Sequence, residues 1–218
     1  MVKAKKRDLV RAVLDVYGRT YAAEIGIRLR NLPAPLFQLL YAALLMSARI
    51  SAHNAVRAAR ALVEAGLTTP QKMAAATWQE RVDVITWHGY KRYDERTAAM
   101  LGDTAELLLE RYGGDLRELR ERAARDVGAE HRLLQQFKGI GPVGADIFLR
   151  EVQGVWDEAY PYADGRVIRA ARSLALGADA RALARWVDKE DFPRFVAGLV
   201  RIDLGHAAGE VEERAAAH

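Results

Sequence analysis

Phe137-Lys138-Gly139-Ile140-Gly141-Pro142-Val143-Gly144-Ala145 is the stretch on which the reading of this chain turns, and Asp164 follows Gly141 by 23 residues within Tyr162-Ala163-Asp164-Gly165-Arg166-Val167-Ile168. Gly139 and Gly141 lack a Cβ, so the turn is expected to adopt positive φ and bring backbone N–H groups close to an anion. Pro142 suits the first position of the helix that follows. A phosphate gripped by backbone amides is gripped without regard to base. By pattern alone, Asp164 before Gly165-Arg166-Val167-Ile168 reads as an N-cap, its carboxylate accepting from a first-turn amide.

Outward from this hairpin, apolar residues recur at helical spacing. Leu9, Val10, Val13, Leu14 and Tyr17 form one stripe, and Leu36, Leu39, Leu40, Ala43 and Leu44 a more buried one. Pro33, Pro35, Pro70, Pro142, Pro161 and Pro193 fall near helix starts, while Gly66, Gly113 and Gly114 fall past helix ends. No alternating strand pattern emerges, so the fold class is all-α. The pattern predicts helices near 6–17, 34–48, 52–65, 71–76, 78–86, 91–112, 115–125, 130–137, 142–152, 165–175, 180–187 and 193–207, with a frayed tail from Glu210 to His218.

With 218 residues, half of them hydrophobic, the chain is long enough for one compact body or two closely packed lobes. No segment reaches the roughly 18 apolar residues of a membrane span. Met1-Val2-Lys3-Ala4-Lys5-Lys6-Arg7 leads into an amphipathic helix and not a signal-peptide core, and the expected location is the cytoplasm, or the nucleoid of a bacterium. The formal charge is +4, too mild by itself to demonstrate nucleic-acid binding. Residues 1–30 are more basic, with eight Lys or Arg against three acids, a surplus open to reading as a solvated helix face or as a phosphate contact. There is no cysteine, which excludes disulfides, thiol nucleophiles and cysteine-ligated zinc or iron–sulfur centres. The five histidines are scattered, without the spacing of a metal site.

In the order of these motifs the chain resembles the helix-hairpin-helix (HhH-GPD) DNA glycosylase superfamily, closest to its endonuclease III branch. The family's L-P-G-[VI]-G-x-x-[TS]-A hairpin is matched by residues 137–145, and its V-D-x-x-[VI]-x-R pattern by Ala163-Asp164-Gly165-Arg166-Val167-Ile168-Arg169. Leu45-Met46-Ser47-Ala48-Arg49 resembles the family's L-L-S-A-Q, and His88-Gly89-Tyr90 falls where the family has an I-G-[LF] loop. The resemblance spans nearly the whole chain. It implies two helical lobes with DNA in the cleft between them: a six-helix barrel over residues 33–154 ending in the hairpin, and a second lobe from residues 1–32 and 155–218 with Asp164 at the cleft mouth. The implied partner is double-stranded DNA carrying a lesion, bound by a monomer.

The resemblance makes Asp164 the catalytic carboxylate. Breaking an N-glycosidic bond builds positive charge on the sugar, which a carboxylate stabilises while it orients or deprotonates the attacking water. Family members that also nick the strand carry a lysine before the [TS]-A pair; here that position is Val143, which cannot form a Schiff base. The resemblance therefore implies a monofunctional glycosylase. A glycosylase with abasic-site lyase activity from another amine, Lys138 being the nearest, and a non-catalytic damaged-DNA-binding protein are the alternatives. Lys138, Gly139, Ile140, Gly141, Val143 and Gly144 are expected at DNA. Arg49 and Tyr90 stand at the family's inserted positions, to fill the gap left by an everted nucleotide. Val143, Trp156 and Tyr160 are candidates to line the base pocket. The four cysteines of the family's 4Fe-4S cluster are missing, and no cofactor is expected beyond a Na+ or K+ ion that the family often holds on hairpin carbonyls.

Overall fold

A computed structural model describes residues 5–87 and 94–216, and all regular structure among them is helical. Chain order runs α1 (Lys6–Ala12), a wider π-helical turn over Val13–Tyr17, α2 (Tyr21–Ile25), α3 (Pro33–Ser47), α4 (Ala52–Glu64), α5 (Pro70–Ala75) and α6 (Trp78–Trp87). Next come α7 (Asp94–Tyr112), α8 (Leu116–Arg122), α9 (Val127–Leu134) and α10 (Pro142–Val152). After a 3-10 turn over Asp157–Ala159 follow α11 (Gly165–Ser173), α12 (Ala180–Leu183), α13 (Phe192–Gly205) and α14 (Ala208–Ala216).

The starts of these helices follow local chemistry. Ser51, Thr69, Asp115, Asp126, Asp164 and Asp179 each accept a first-turn amide on the side chain, satisfying donors that a helix leaves unpaired. Proline occupies the first turn of α3, α5, α10 and α13, where its missing N–H costs nothing. The Asp126 cap explains why α9 begins three residues before the predicted start at 130.

The chain divides into two compact units, residues 22–158 and residues 1–21 with 159–218. In the first, α3 is the centre: Leu36, Phe37 and Leu39 through Leu45 are buried, so the helix is apolar on nearly every face and α4, α7, α8 and α10 pack around it. Burying each such leucine stabilises by roughly 1.5–3 kcal/mol before the entropic cost of ordering it. The boundaries differ from the expected 32/33 and 154/155 because polar contacts hold both margins in this unit. The Ala22 N–H donates to the buried Glu151 carboxylate at 2.9 Å, and the Trp156 indole donates to Asn31 Oδ1 at 3.1 Å.

In the other unit, α13 is the buried centre and packs against α11 and the π turn. Gly198 permits a close approach there, since a Cβ on it would lie 2.7 Å from Val13 Cγ1. Arg194 and Arg201 donate to the Gly18 and Arg19 carbonyls at 2.9 and 3.0 Å, stitching the N-terminal segment onto α13. The tail expected to fray is helical to Ala216: Val211 and Ala215 are buried, and Tyr17 Oη donates to Glu210 at 3.0 Å. Two buried positions four residues apart suffice to dock a short helix, a signal too small to stand out in a nine-residue tail.

Candidate functional site

The hairpin joins α9 to α10 and is braced from behind. Gly139 has φ +91°, a conformation that favours glycine, and a Cβ there would lie 2.5 Å from Met100 Sδ, so a larger residue would also have to displace the end of that flexible side chain. Gly141 departs from expectation. Its φ is −92°, open to any residue, and a Cβ would meet nothing within 4 Å. The constraint at Gly141 is thus an open approach to the backbone and not a left-handed conformation. Gly144 is buried, and a Cβ on it would stand 3.1 Å from Ile140 and 3.5 Å from Ser47. Ile140 is buried as well, and its amide donates to the Phe137 carbonyl at 3.0 Å. These two residues hold the turn together by packing.

What the hairpin presents outward is the first turn of α10. Gly141, Pro142 and Val143 are exposed, no side chain caps the helix, and the first intrahelical bond is donated by Ala145 to Gly141 at 3.0 Å. The amides of Val143 and Gly144 precede that bond and lie at the positive end of the helix dipole, a suitable seat for an anion. Val143 is 49% exposed, its side chain in solvent beside those amides. Lys138 is exposed too, paired at 2.8 Å with Asp103 of α7. Three hairpin carbonyls are already engaged: Phe137 accepts from Ile140, Gly139 from Ser47 Oγ at 3.4 Å, and Gly141 from Ala145.

The single Ser47 hydroxyl proton is shared between the Leu44 carbonyl at 2.8 Å and the Gly139 carbonyl at 3.4 Å, which sets the end of α3 against the hairpin. Arg49, two residues on, is exposed. Tyr90, the other expected inserted residue, lies outside the described residues. The flanks of its segment are joined, with Thr86 Oγ1 donating to Asp94 at 3.3 Å.

Behind the hairpin, α9 and α10 are pinned by His131. Gln135 Nε2 donates to His131 Nδ1 at 2.9 Å, which leaves the proton on Nε2 to be donated to Asp146 at 3.1 Å. Glu130, the residue before His131 on α9, is completely buried, and neither oxygen meets a protein N–H or hydroxyl donor. Its neighbour is the carboxyl of Glu158. Burial, and then the negative Glu158, push the Glu130 carboxyl up to about 8. Burial works against Glu158 also, but Arg120 binds it through two nitrogens and holds it below the ordinary carboxylate range.

Asp164 is half-buried at the head of α11, and its Oδ1 accepts from the amides of Arg166 at 2.9 Å and Val167 at 3.0 Å. The capping role read from the sequence is realised, and it fixes the orientation of the carboxylate. Trp156 departs from the expected pocket role. It is completely buried, edge-on to Phe148 at 5.5 Å, with the Arg120 guanidinium 5.3 Å from its ring centre. A ring enclosed on these sides is core, and no base can reach it. Tyr160 is half-buried against Phe192, with Lys189 Nζ 5.4 Å over its ring. Among the described residues no group of three or more acidic or histidine side chains is placed to hold a metal.

No protein-family model matches the chain, and no curated protein sequence does. Solved structures do. A trapped endonuclease III–DNA covalent intermediate matches with 20% identity over 90% of this chain and 85% of that one, at a TM-score of 0.50. A non-covalent endonuclease III–DNA complex matches with 18% identity over 88% and 81%, at 0.54. The 3-methyladenine DNA glycosylase MagIII of H. pylori, bound to 1,N6-ethenoadenine, matches with 13% identity over 93% and 98%, at 0.55. At such identities a likeness establishes architecture, and the chain carries the all-helical fold shared by endonuclease III and MagIII.

Proposed function

We propose that this protein is a DNA glycosylase of the helix-hairpin-helix superfamily, a monomer that hydrolyses the N-glycosidic bond of an everted damaged or mismatched base in duplex DNA. The observation that carries this reading is the exposed, uncapped first turn of α10 behind a left-handed Gly139, an anion seat built from backbone. Asp164 supplies the second half of the chemistry. Its Oδ1 is anchored by two amides, so the carboxylate is presented in one orientation to stabilise charge developing on the sugar and to direct water. Val143 in place of an amine leaves water as the nucleophile. Likeness in fold to structures solved with DNA supports the assignment of duplex DNA as partner.

The test is a panel of duplexes carrying alkylated purines, oxidised pyrimidines, uracil or mismatches, with alkali to reveal abasic sites. Release of one base type by the wild-type chain, lost in Asp164→Asn with DNA affinity kept, is expected. Unchanged base release in that variant would remove Asp164 from the chemistry. Borohydride treatment should trap no protein–DNA adduct; an adduct abolished by Lys138→Gln would make the enzyme a lyase.

A further inference from the structure

Two guanidinium groups converge on one carboxylate within the unit formed by residues 1–21 and 159–218. Asp203, on α13, is only 14% exposed. It accepts from Arg169 Nε at 3.1 Å and Nη2 at 3.0 Å, and from Arg166 Nη1 at 3.3 Å. The two arginine side chains are 59% and 45% exposed. Their inner edges are thus engaged by the carboxylate while their outer edges face solvent, and the trio carries one surplus positive charge. An open-sided recess of about 320 Å3 adjoins it, lined by Arg169, Ser173, Asp203 and His206. Side chains on a helix lean toward its N-terminus. The Arg169 head accordingly reaches back along α11, and a Cβ on Gly165 would stand 3.7 Å from Nη1. Gly165 adjoins Asp164, so the surplus charge is held at the same helix end as the carboxylate that caps it.

Guanidinium forks match the oxygens of phosphate in geometry, and a preformed pair spends little entropy in binding one. We infer that Arg166 and Arg169, held in place by Asp203, form a subsite for one backbone phosphodiester adjoining the nucleotide presented to Asp164. Asp203 sets the strength of this subsite, since it orders both arginines and cancels one of their two charges. The subsite rests on the reading of the chain as a DNA glycosylase, and its own test uses binding to a short undamaged duplex.

Each phosphate neutralised contributes about 0.9 to the slope of log affinity against log salt, or roughly a three-fold change between about 50 and about 200 mM. Arg169→Gln should make the slope shallower by about that amount, and Arg166→Gln, which removes the more weakly tethered charge, should act in the same direction. Asp203→Asn should steepen the slope and tighten binding at low salt. The double variant Arg169→Gln/Asp203→Asn, with the surplus charge restored, should return near the wild-type slope. If Arg169→Gln and Asp203→Asn each weaken binding without altering the slope and the double variant is weaker still, the arginines only brace α11 against α13 and the subsite is wrong. Base release with salt slopes indifferent to these residues overturns the subsite and keeps the glycosylase. Salt slopes that follow the charges, with no base released from any lesion duplex, keep the subsite and overturn the glycosylase.

Discussion

The buried Glu130 carboxyl, reached by no N–H or hydroxyl donor, neighbours the carboxylate of Glu158, which Arg120 grips through two nitrogens, so Glu130 is favoured in its protonated form. Asp126, the cap of α9, adds a further negative influence on Glu130, and Arg120 a positive one. The pair ties the first helix of the hairpin to the segment that leads toward Asp164.

Stability should therefore decline with rising pH. Glu130 has a folded value of about 8 against an ordinary 4.5, so between these limits the folded chain binds more protons than the unfolded one. Its contribution is full below about 4.5, lost progressively up to about 8, and level above, with a limiting slope of about 1.4 kcal/mol per pH unit. Glu130→Gln, which keeps a donor toward Glu158, should flatten that slope in denaturant titrations from pH 5 to 9. Parallel wild-type and variant curves would place Glu130 outside the transition.

Capping and chemistry separate at Asp164. Asparagine caps as well as aspartate, so Asp164→Asn should melt with the wild type, while Asp164→Ala should lose about 1 kcal/mol. Both should abolish base release. Thermal melts beside single-turnover assays distinguish a carboxylate needed for its charge from one needed for the helix.

The two hairpin glycines should fail differently. Gly139→Ala puts a Cβ at positive φ and against Met100, and should destabilise the fold by at least about 1 kcal/mol. Gly141→Val projects into open space. It should leave the melting temperature nearly unchanged and weaken duplex binding several-fold by crowding the α10 amides, as read by fluorescence anisotropy.

Installing the missing amine is the converse experiment. Val143 is exposed at the α10 first turn, so Val143→Lys should fold normally and give a borohydride-trapped adduct with lesion duplex that the parent protein lacks. Failure of the variant to form an adduct, with base release intact, would place Val143 away from the sugar.

Trp156 tests the core. Trp156→Phe removes the bond to Asn31 and weakens the stacking on Arg120, and should cost about 1–3 kcal/mol of stability while leaving the preferred lesion unchanged. A changed lesion preference would return Trp156 to the pocket.

Helix periodicity, proline placement and capping aspartates are local, interactions of residues a few positions apart, and for that reason the all-α class, most helix positions and the hairpin itself are legible in the order of residues alone. The Asp164 cap is legible too, since its partners lie two and three residues away. Gly139 and Gly141 look alike in sequence, yet only the folded backbone separates a positive-φ turn packed beside Met100 from an open approach at φ −92°. Trp156 could serve a pocket or a core until Phe148, nearby in sequence, and Asn31 and Arg120, distant in the chain, enclosed it. The sharing of Asp203 by Arg166 and Arg169 spans more than thirty residues and leaves no periodic trace. Burial and charge pairing depend on which surfaces meet, so the sequence by itself determined the helices and the order of their motifs, and only tertiary contact decided which of those residues face solvent, which face each other, and what charge remains to meet a ligand.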